Sequence, residues 1–304
     1  AAWRRGNDVL LHFGAVDWRA EVYVNDLLVG SHTGGYTPFS FDITPALSAK
    51  GVQKLTVKVT DSTDKGFQPH GKQVLEPHGI WYTPVTGIWQ TVWIEPVPAA
   101  NRIEGVTTRS DIHAGVLSVD VKTARTGSDR VCVTLSADGK TLAERSSMAG
   151  QPVHLAVEHP RLWSPDDPYL YDLTVTLVRD GRVIDRAESY AALREIATGR
   201  DANGIERMTL NGRPLFHFGP LDQGWWPDGL YTAPTDEALL YDIRFTKQLG
   251  FNMIRKHIKV EPERWYWHCD REGILVWQDM PSGDMSTGKW EPHRYGAGTD
   301  AERS

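Results

Sequence analysis

The sequence predicts a multidomain chain: two β-sandwiches, then the opening of a parallel β/α domain. Three observations predict it. Residues 1–190 break into short, strand-like segments separated by Asn-Asp, Gly-Gly and Asp-Gly turn signals. From Arg200 onward, strand-like segments alternate with two stretches that carry helix start and stop residues. At 304 residues the chain has room for two or three domains.

Composition sets the class. Hydrophobic residues make up 40% and charged residues 24%, the balance of an ordinary globular protein. A net charge of −6 gives no footprint for nucleic acid or for an anionic membrane, and no apolar run approaches the ~20 residues of a membrane helix. Cys132 and Cys269 fall in different expected domains, so neither a disulfide nor a metal cluster is predicted. The 12 tryptophans suit stacking on sugar faces, but on their count alone they favour core packing. The chain opens on AAWRRGNDVLLHFG, which reads as the middle of a domain.

In residues 1–97, strands are expected at Val9–Val16, Ala20–Val24, Leu27–Gly30, Phe39–Ile43, Lys54–Thr60 and Ile88–Ile94. Asn25-Asp26 and Gly34-Gly35 punctuate them, Asp61–Thr83 forms a long loop, and Pro96 and Pro98 mark a linker. His32, His70 and His78 are too scattered to suggest a metal site. Residues 99–196 carry strands at Ile103–Arg109, Leu117–Lys122, Val131–Ala137, Val153–Val157, Tyr171–Arg179 and Arg182–Tyr190, with turns at Asp138-Gly139 and Asp180-Gly181. Six or seven strands in this length suggest an immunoglobulin-like sandwich.

Past Arg200, Met208–Leu210 and Pro214–Phe218 flank an Asn211-Gly212 turn, and the loop GPLDQGWWPDGLYT follows. Thr235 caps a helix over Asp236–Leu249. Phe251–His257 reads as a strand, Glu261–Glu272 as a helix stopped by Gly273, and Ile274–Trp277 as a buried parallel strand. This is the start of a (β/α) barrel or of a doubly wound, flavodoxin-like sheet; the stretch to Ser304 is far short of the ~250 residues of a closed barrel. Ligands bind at the carboxyl ends of such strands, where Arg255, Lys256, His257, Gln278 and Asp279 sit. A structural ion pair between Arg255 and Asp279 is the plain alternative.

The motifs LLHFGAVDWRAEVYVNDLLVGSHTGGYTPFSFDIT, TGIWQTVWIEPVP, LWSPDDPYLY, LNGRPLFHFG, FNMIRKH and DREGILVWQDMP, in this order, resemble glycoside hydrolase family 2, which contains β-galactosidases, β-glucuronidases and β-mannosidases. The resemblance implies a galactose-binding-like jelly roll (1–97, with its opening strands missing), an immunoglobulin-like sandwich (98–196) and the first part of a TIM barrel (197–304). It implies a retaining glycosidase with two glutamates ~5–5.5 Å apart. The family's acid/base glutamate follows an asparagine, and this chain holds no Asn-Glu pair. No catalytic residue is therefore assigned, Glu261, Glu263 and Glu291 included, and the chain itself is expected to be inactive. Glu261 and Glu263 are expected in the first turn of a helix, where the macrodipole favours acids.

Arg255 matches the family arginine of the Asn-x-x-Arg motif that begins at Asn252, and Asp279 the acidic position ending the third strand. Asp222, Trp225, Trp226, Arg255, His257, Trp277 and Asp279 are expected to form a substrate-binding wall of hydroxyl-bonding groups beside aromatic platforms. MPSGDM stands where some β-galactosidases hold magnesium, so no metal and no cofactor are expected. The expected partner is a carbohydrate, with neither nucleic acid nor membrane, and a homo-oligomeric parent is compatible with the resemblance. A non-catalytic carbohydrate-binding protein is the competing reading.

Overall fold

The computed structural model describes residues 4–65 and 68–282. The first strands are β1 (Asn7–Phe13), β2 (Val16–Asp17), β3 (Arg19–Val24), β4 (Leu27–Thr33), β5 (Phe39–Asp42), β6 (Leu55–Thr60), β7 (Gly87–Ile88) and β8 (Val92–Pro98). They form two three-stranded antiparallel sheets, β5-β1-β8 and β4-β3-β6, with the short pair β2-β7 beside them. Val9, Leu11 and Phe13 of β1 pack against Ala20, Val22 and Val24 of β3, so alternate residues of each strand face one core. Asn25 and Asp26 both take positive φ, as a tight hairpin turn requires.

Two expectations fail here for definable reasons. Ile88–Ile94 is not one strand. It splits because Trp89 turns inward to join Ala15, Tyr36 and Tyr231 and donates its Nε1–H to the Gly35 carbonyl at 2.8 Å. Pro96 and Pro98 are not a linker either. They lie inside β8, opposite Val9 and Asn7, and β8 is a sheet edge that tolerates residues without an N–H.

The second group comprises β9 (Ile103–Asp111), β10 (Val116–Thr123), β11 (Arg130–Ala137), β12 (Lys140–Met148), β13 (Val153–Ala156), β14 (Tyr171–Arg179) and β15 (Arg182–Ala191). A sheet β13-β10-β9 faces a sheet β12-β11-β14-β15. Leu117, Val119, Leu155, Val133, Val175 and Leu177 share the core between them. Burying each such side chain contributes ~1.5–3 kcal/mol. Together with the first group, these sheets make the chain a β-sandwich protein for most of its length.

A hairpin sheet of β16 (Ile196–Arg200), β17 (Glu206–Leu210) and β18 (Arg213–Pro214) leads into β19 (Leu221–Asp222). The expected strand Pro214–Phe218 is thus displaced: pairing stops at Pro214, and the chain joins the parallel sheet only at Leu221. Helix α1 (Asp236–Gln248) begins at Thr235, whose side chain accepts from the Ala238 N–H at 3.1 Å. Strand β20 (Met253–Lys256), helix α2 (Glu263–Glu272) and strand β21 (Leu275–Gln278) follow. Gly273 ends α2 at φ +74, and a side chain there would collide with the Pro165 carbonyl of the second sandwich at 2.4 Å. The parallel strands run β19-β20-β21 in sequence order, unlike the flavodoxin order in which the second strand lies outside the first. Among the described residues, no helix is long and apolar enough to cross a membrane.

One buried carboxyl stands out in the first sandwich. Among the described residues Asp17 accepts a side-chain hydrogen bond from Gln73 of the long loop at 3.0 Å, and burial pushes its pKa up from 3.8 to about 7. The native state therefore favours the protonated form. The associated stability is complete below about pH 4 and is lost as pH rises through about 7. Asp17→Asn should raise the melting temperature at about pH 8 and leave it nearly unchanged near pH 4. Melts at both pH values test this, and an equal shift at the two would refute it.

Candidate functional site

The parallel register decides which residues can meet. Leu221, Arg255 and Trp277 are paired in one row; Asp222, Lys256 and Gln278 are paired in the next. Successive strand residues face opposite ways, so the two rows present their side chains on opposite faces. One face is covered by the helices: Ile254 packs with Leu239 and Ile243 of α1 and Trp265 and Cys269 of α2. On the other face, Met253 and Leu275 at the amino ends are closed off by Trp163 and Leu210. The carboxyl ends of that face stay open.

The open face gathers Arg255, His257 and Asp279. The Arg255 Nε–H donates to the Asp279 carboxylate at 3.0 Å, and its Nη2 lies 3.0 Å from the same carboxylate. His257 Nδ1 sits 2.7 Å from Asp279 Oδ2. Burial alone would raise the Asp279 pKa, but the bonds from Arg255 and His257 outweigh it and hold the carboxyl below its ordinary range. Trp277 flanks the group and donates its Nε1–H to His217 Nδ1 at 2.8 Å. Sequence reasoning missed His217, because a contact across 60 residues leaves no local signal. The arrangement supplies planar donors, an imidazole and an exposed indole, groups suited to binding hydroxyls and apolar sugar faces. Among the described residues the trio holds one carboxylate, and that carboxylate is already paired with a guanidinium.

Asp222 is elsewhere. Its carboxylate accepts from Lys256 Nζ at 2.6 Å and from the Gly224 N–H at 2.7 Å, on the helix-covered side. Lys256 also donates to Glu261 at 2.8 Å, and Lys259 lies 3.0 Å from the same Glu261 oxygen. Lys259 further donates to the carbonyls of Gly224 and Tyr231 at 2.6 and 2.8 Å. Burial depresses the Lys259 pKa; for Lys256 it is outweighed by Glu261 and Asp222, and the pKa is raised. Glu261 is thus not a first-turn residue favoured by the helix dipole: α2 starts at Glu263, and Glu261 is a counter-ion between two buried lysines.

Trp225 packs between Tyr82 and Tyr231 with its ring tilted to both, at centroid distances of 4.8 and 4.5 Å. Trp226 packs against the core beneath the helices. Neither tryptophan is brought to the Arg255 trio; both tie the loop after β19 to its surroundings. The long loop of the first sandwich also reaches this region, where the N–H groups of His70 and Gly71 both donate to the Ser282 carbonyl at 2.9 Å. Among the described residues, no three His, Cys, Asp or Glu gather to hold a metal ion. Glu291 and the end of MPSGDM lie outside the described residues.

Comparison with known proteins places this architecture. The model described as "Glycosyl hydrolases family 2, sugar binding domain" matches residues 1–98, and "Glycosyl hydrolases family 2" matches residues 101–194. A β-galactosidase of Thermoanaerobacter pseudethanolicus is 26% identical over 300 residues, covering 91% of this chain and 37% of that protein. A putative β-glucuronidase of Formosa agariphila is 27% identical over 293 residues, covering 92% of this chain and 34% of its own length. The crystal structure of Ruminococcus gnavus β-glucuronidase superposes with a TM-score of 0.78 at 24% identity, over 92% of this chain and 48% of that one. The chain therefore spans about a third of these curated relatives.

Proposed function

We propose, from the premise that the chain belongs to glycosyl hydrolase family 2, that it is the front part of a retaining β-glycosidase, β-galactosidase-like in substrate class. Residues 1–97 serve as the jelly-roll domain, 98–196 as the immunoglobulin-like spacer, and 197–304 as the opening of the catalytic barrel. The sequential parallel order β19-β20-β21 supports the barrel reading. Its open face would become the barrel interior, with Arg255, His257, Trp277 and Asp279 on the substrate wall. Asp222, Trp225 and Trp226 contribute to that wall indirectly, by fixing the loop after β19.

The observation that carries the proposal is the Arg255–Asp279–His257 trio at the carboxyl ends of adjacent parallel strands, where barrel enzymes place substrate groups. Retaining hydrolysis needs one carboxyl to protonate the leaving oxygen and another to attack the anomeric carbon. This chain supplies positioning, and residues of the longer protein supply that pair. The test is an assay of the 304-residue chain and of the longer protein against aryl β-glycosides. The longer protein should turn over a β-galactoside or a related β-glycoside, and the chain alone should not. An inactive longer protein would defeat the enzyme reading.

A further inference from the structure

We propose that Gln278 and the His70-Gly71 turn are positioning residues: they clamp the chain that runs on from β20 and β21, and so hold Asp279 against Arg255 and His257. The catalytic meaning of this clamp rests on the glycosidase reading above; its geometry does not.

The first jaw is the Gln278 side chain. Gln278 ends β21, directly before Asp279. Its Nε2 donates to the Lys259 carbonyl at 2.8 Å and to the Asp279 carbonyl at 2.6 Å. Its Oε1 accepts from the Tyr266 hydroxyl of α2 at 2.5 Å, and that hydroxyl accepts from the Glu261 N–H at 3.2 Å. A primary amide has two N–H donors; both are used on carbonyls, so the group cannot turn over. Burial pushes the Tyr266 hydroxyl up to about 12, so it stays a donor over the ordinary pH range. The Asp279 N–H donates to the Lys256 carbonyl at 3.0 Å. The Asp279 backbone is therefore pinned at both its N–H and its C=O. Gln278 is exposed, so its role lies in these bonds rather than in packing.

The second jaw comes from the long loop of the first sandwich. The N–H groups of His70 and Gly71 converge on the Ser282 carbonyl, beyond Asp279. Gly71 has φ +62, and a Cβ there would lie 2.8 Å from the Ile258 carbonyl oxygen and 3.0 Å from the Tyr231 hydroxyl oxygen. The turn thus sits against the backbone just past His257 and leaves no room for a side chain. Ile258 itself has φ +46. A β-branched residue takes that conformation only where its surroundings impose it, and such strain gathers at functional sites. Here the turn abuts the Ile258 carbonyl, and Gln278 holds the next carbonyl, that of Lys259. The two jaws therefore fix the chain after both strands, on which His257 and Asp279 stand.

Carbon-13 NMR titration of the Asp279 carboxyl in the 304-residue chain tests the clamp, with the resonance identified by its loss in Asp279→Asn. In the parent the carboxyl should titrate below its ordinary 3.8. In Gln278→Ala it should rise toward 3.8, because a carboxylate no longer held against Arg255 and His257 loses the bonds that depress it. Gln278→Met, which fills similar space without hydrogen bonds, should do the same, and Gly71→Ala should shift it in the same direction. Tyr266→Phe should give a smaller rise, and it takes the place of Gln278→Ala if that variant fails to fold. In the longer protein Gln278→Ala should lower kcat/KM about tenfold or more and move the acid limb of its pH profile upward with the titration. A parent-like Asp279 titration in Gln278→Ala, Gln278→Met or Gly71→Ala would overturn the proposal whatever the activity. A titration that moves, beside a longer protein with no activity, would support the clamp and defeat the glycosidase reading instead.

Discussion

Replacing Glu261 by alanine is expected to destabilise the region around the loop after β19 by ~3–5 kcal/mol, the cost of stranding buried charge. The Lys256 and Lys259 side chains are each 1% exposed and Glu261 2%, and the one Glu261 carboxylate faces both ammonium groups. Removing it leaves Lys259 with two carbonyls and no counter-ion, and Lys256 with Asp222 alone. Glu261→Gln should be milder, because the amide oxygen still accepts a hydrogen bond. Hydrogen exchange reads the effect locally. Amides between Gly224 and Tyr231 should lose protection in Glu261→Ala, since Lys259 clamps both ends of that loop. Protection unchanged from the parent would show that the network contributes nothing. Asp222→Ala should act the same way more weakly, because the Asp222 side chain is partly exposed.

On the glycosidase reading proposed above, Arg255→Ala should have the opposite profile in the longer protein. It should lower kcat/KM about 100-fold, the scale of a misplaced positioning group, with little change in melting temperature. The Arg255 side chain is 48% exposed, and an ion pair so placed stabilises by only ~0–1 kcal/mol. Asp279→Asn should match it in rate, because the trio loses the carboxylate that orients both neighbours. Asp279 has a depressed pKa, so the intact trio is present above that value and is lost only as pH falls through it. A melting point that falls in step with kcat/KM would make Arg255 and Asp279 a structural ion pair and nothing more.

What could be read beforehand was local. Thr235 as cap, Gly273 as stop, and the Asn25-Asp26, Asp138-Gly139 and Asn211-Gly212 turns all rest on the conformational habits of single residues, and each is found in place. Strand β12, KTLAERSSM, has no apolar face to announce it; only the preceding turn implied a returning strand. The pairing of Arg255 with Asp279 followed from their positions at strand ends, but the face of Asp222 did not. A two-residue strand has no periodicity, so its orientation is set by pairing with β20. The buried lysines were hidden for a related reason. Lys256-His257-Ile258-Lys259 reads as exposed polar text, and only the fold brings Asp222 and the tryptophan and tyrosine rings over it.

The prolines of β8 have a consequence for association. In an antiparallel pair, alternate residues turn their N–H and C=O groups toward and away from the partner. Gly14 donates to Thr91 just before β8, so odd-numbered residues face β1 and the even-numbered Val92, Ile94, Pro96 and Pro98 face outward. The outer border of that sheet thus offers carbonyls along its length, but N–H groups only in its first half. A second chain arriving as an extra strand would find no donors opposite Pro96 and Pro98, and its ladder would stop halfway. This one edge is in that way protected against growing sideways into a continuous intermolecular sheet. Strand addition at this border is therefore limited to the half that carries Val92 and Ile94.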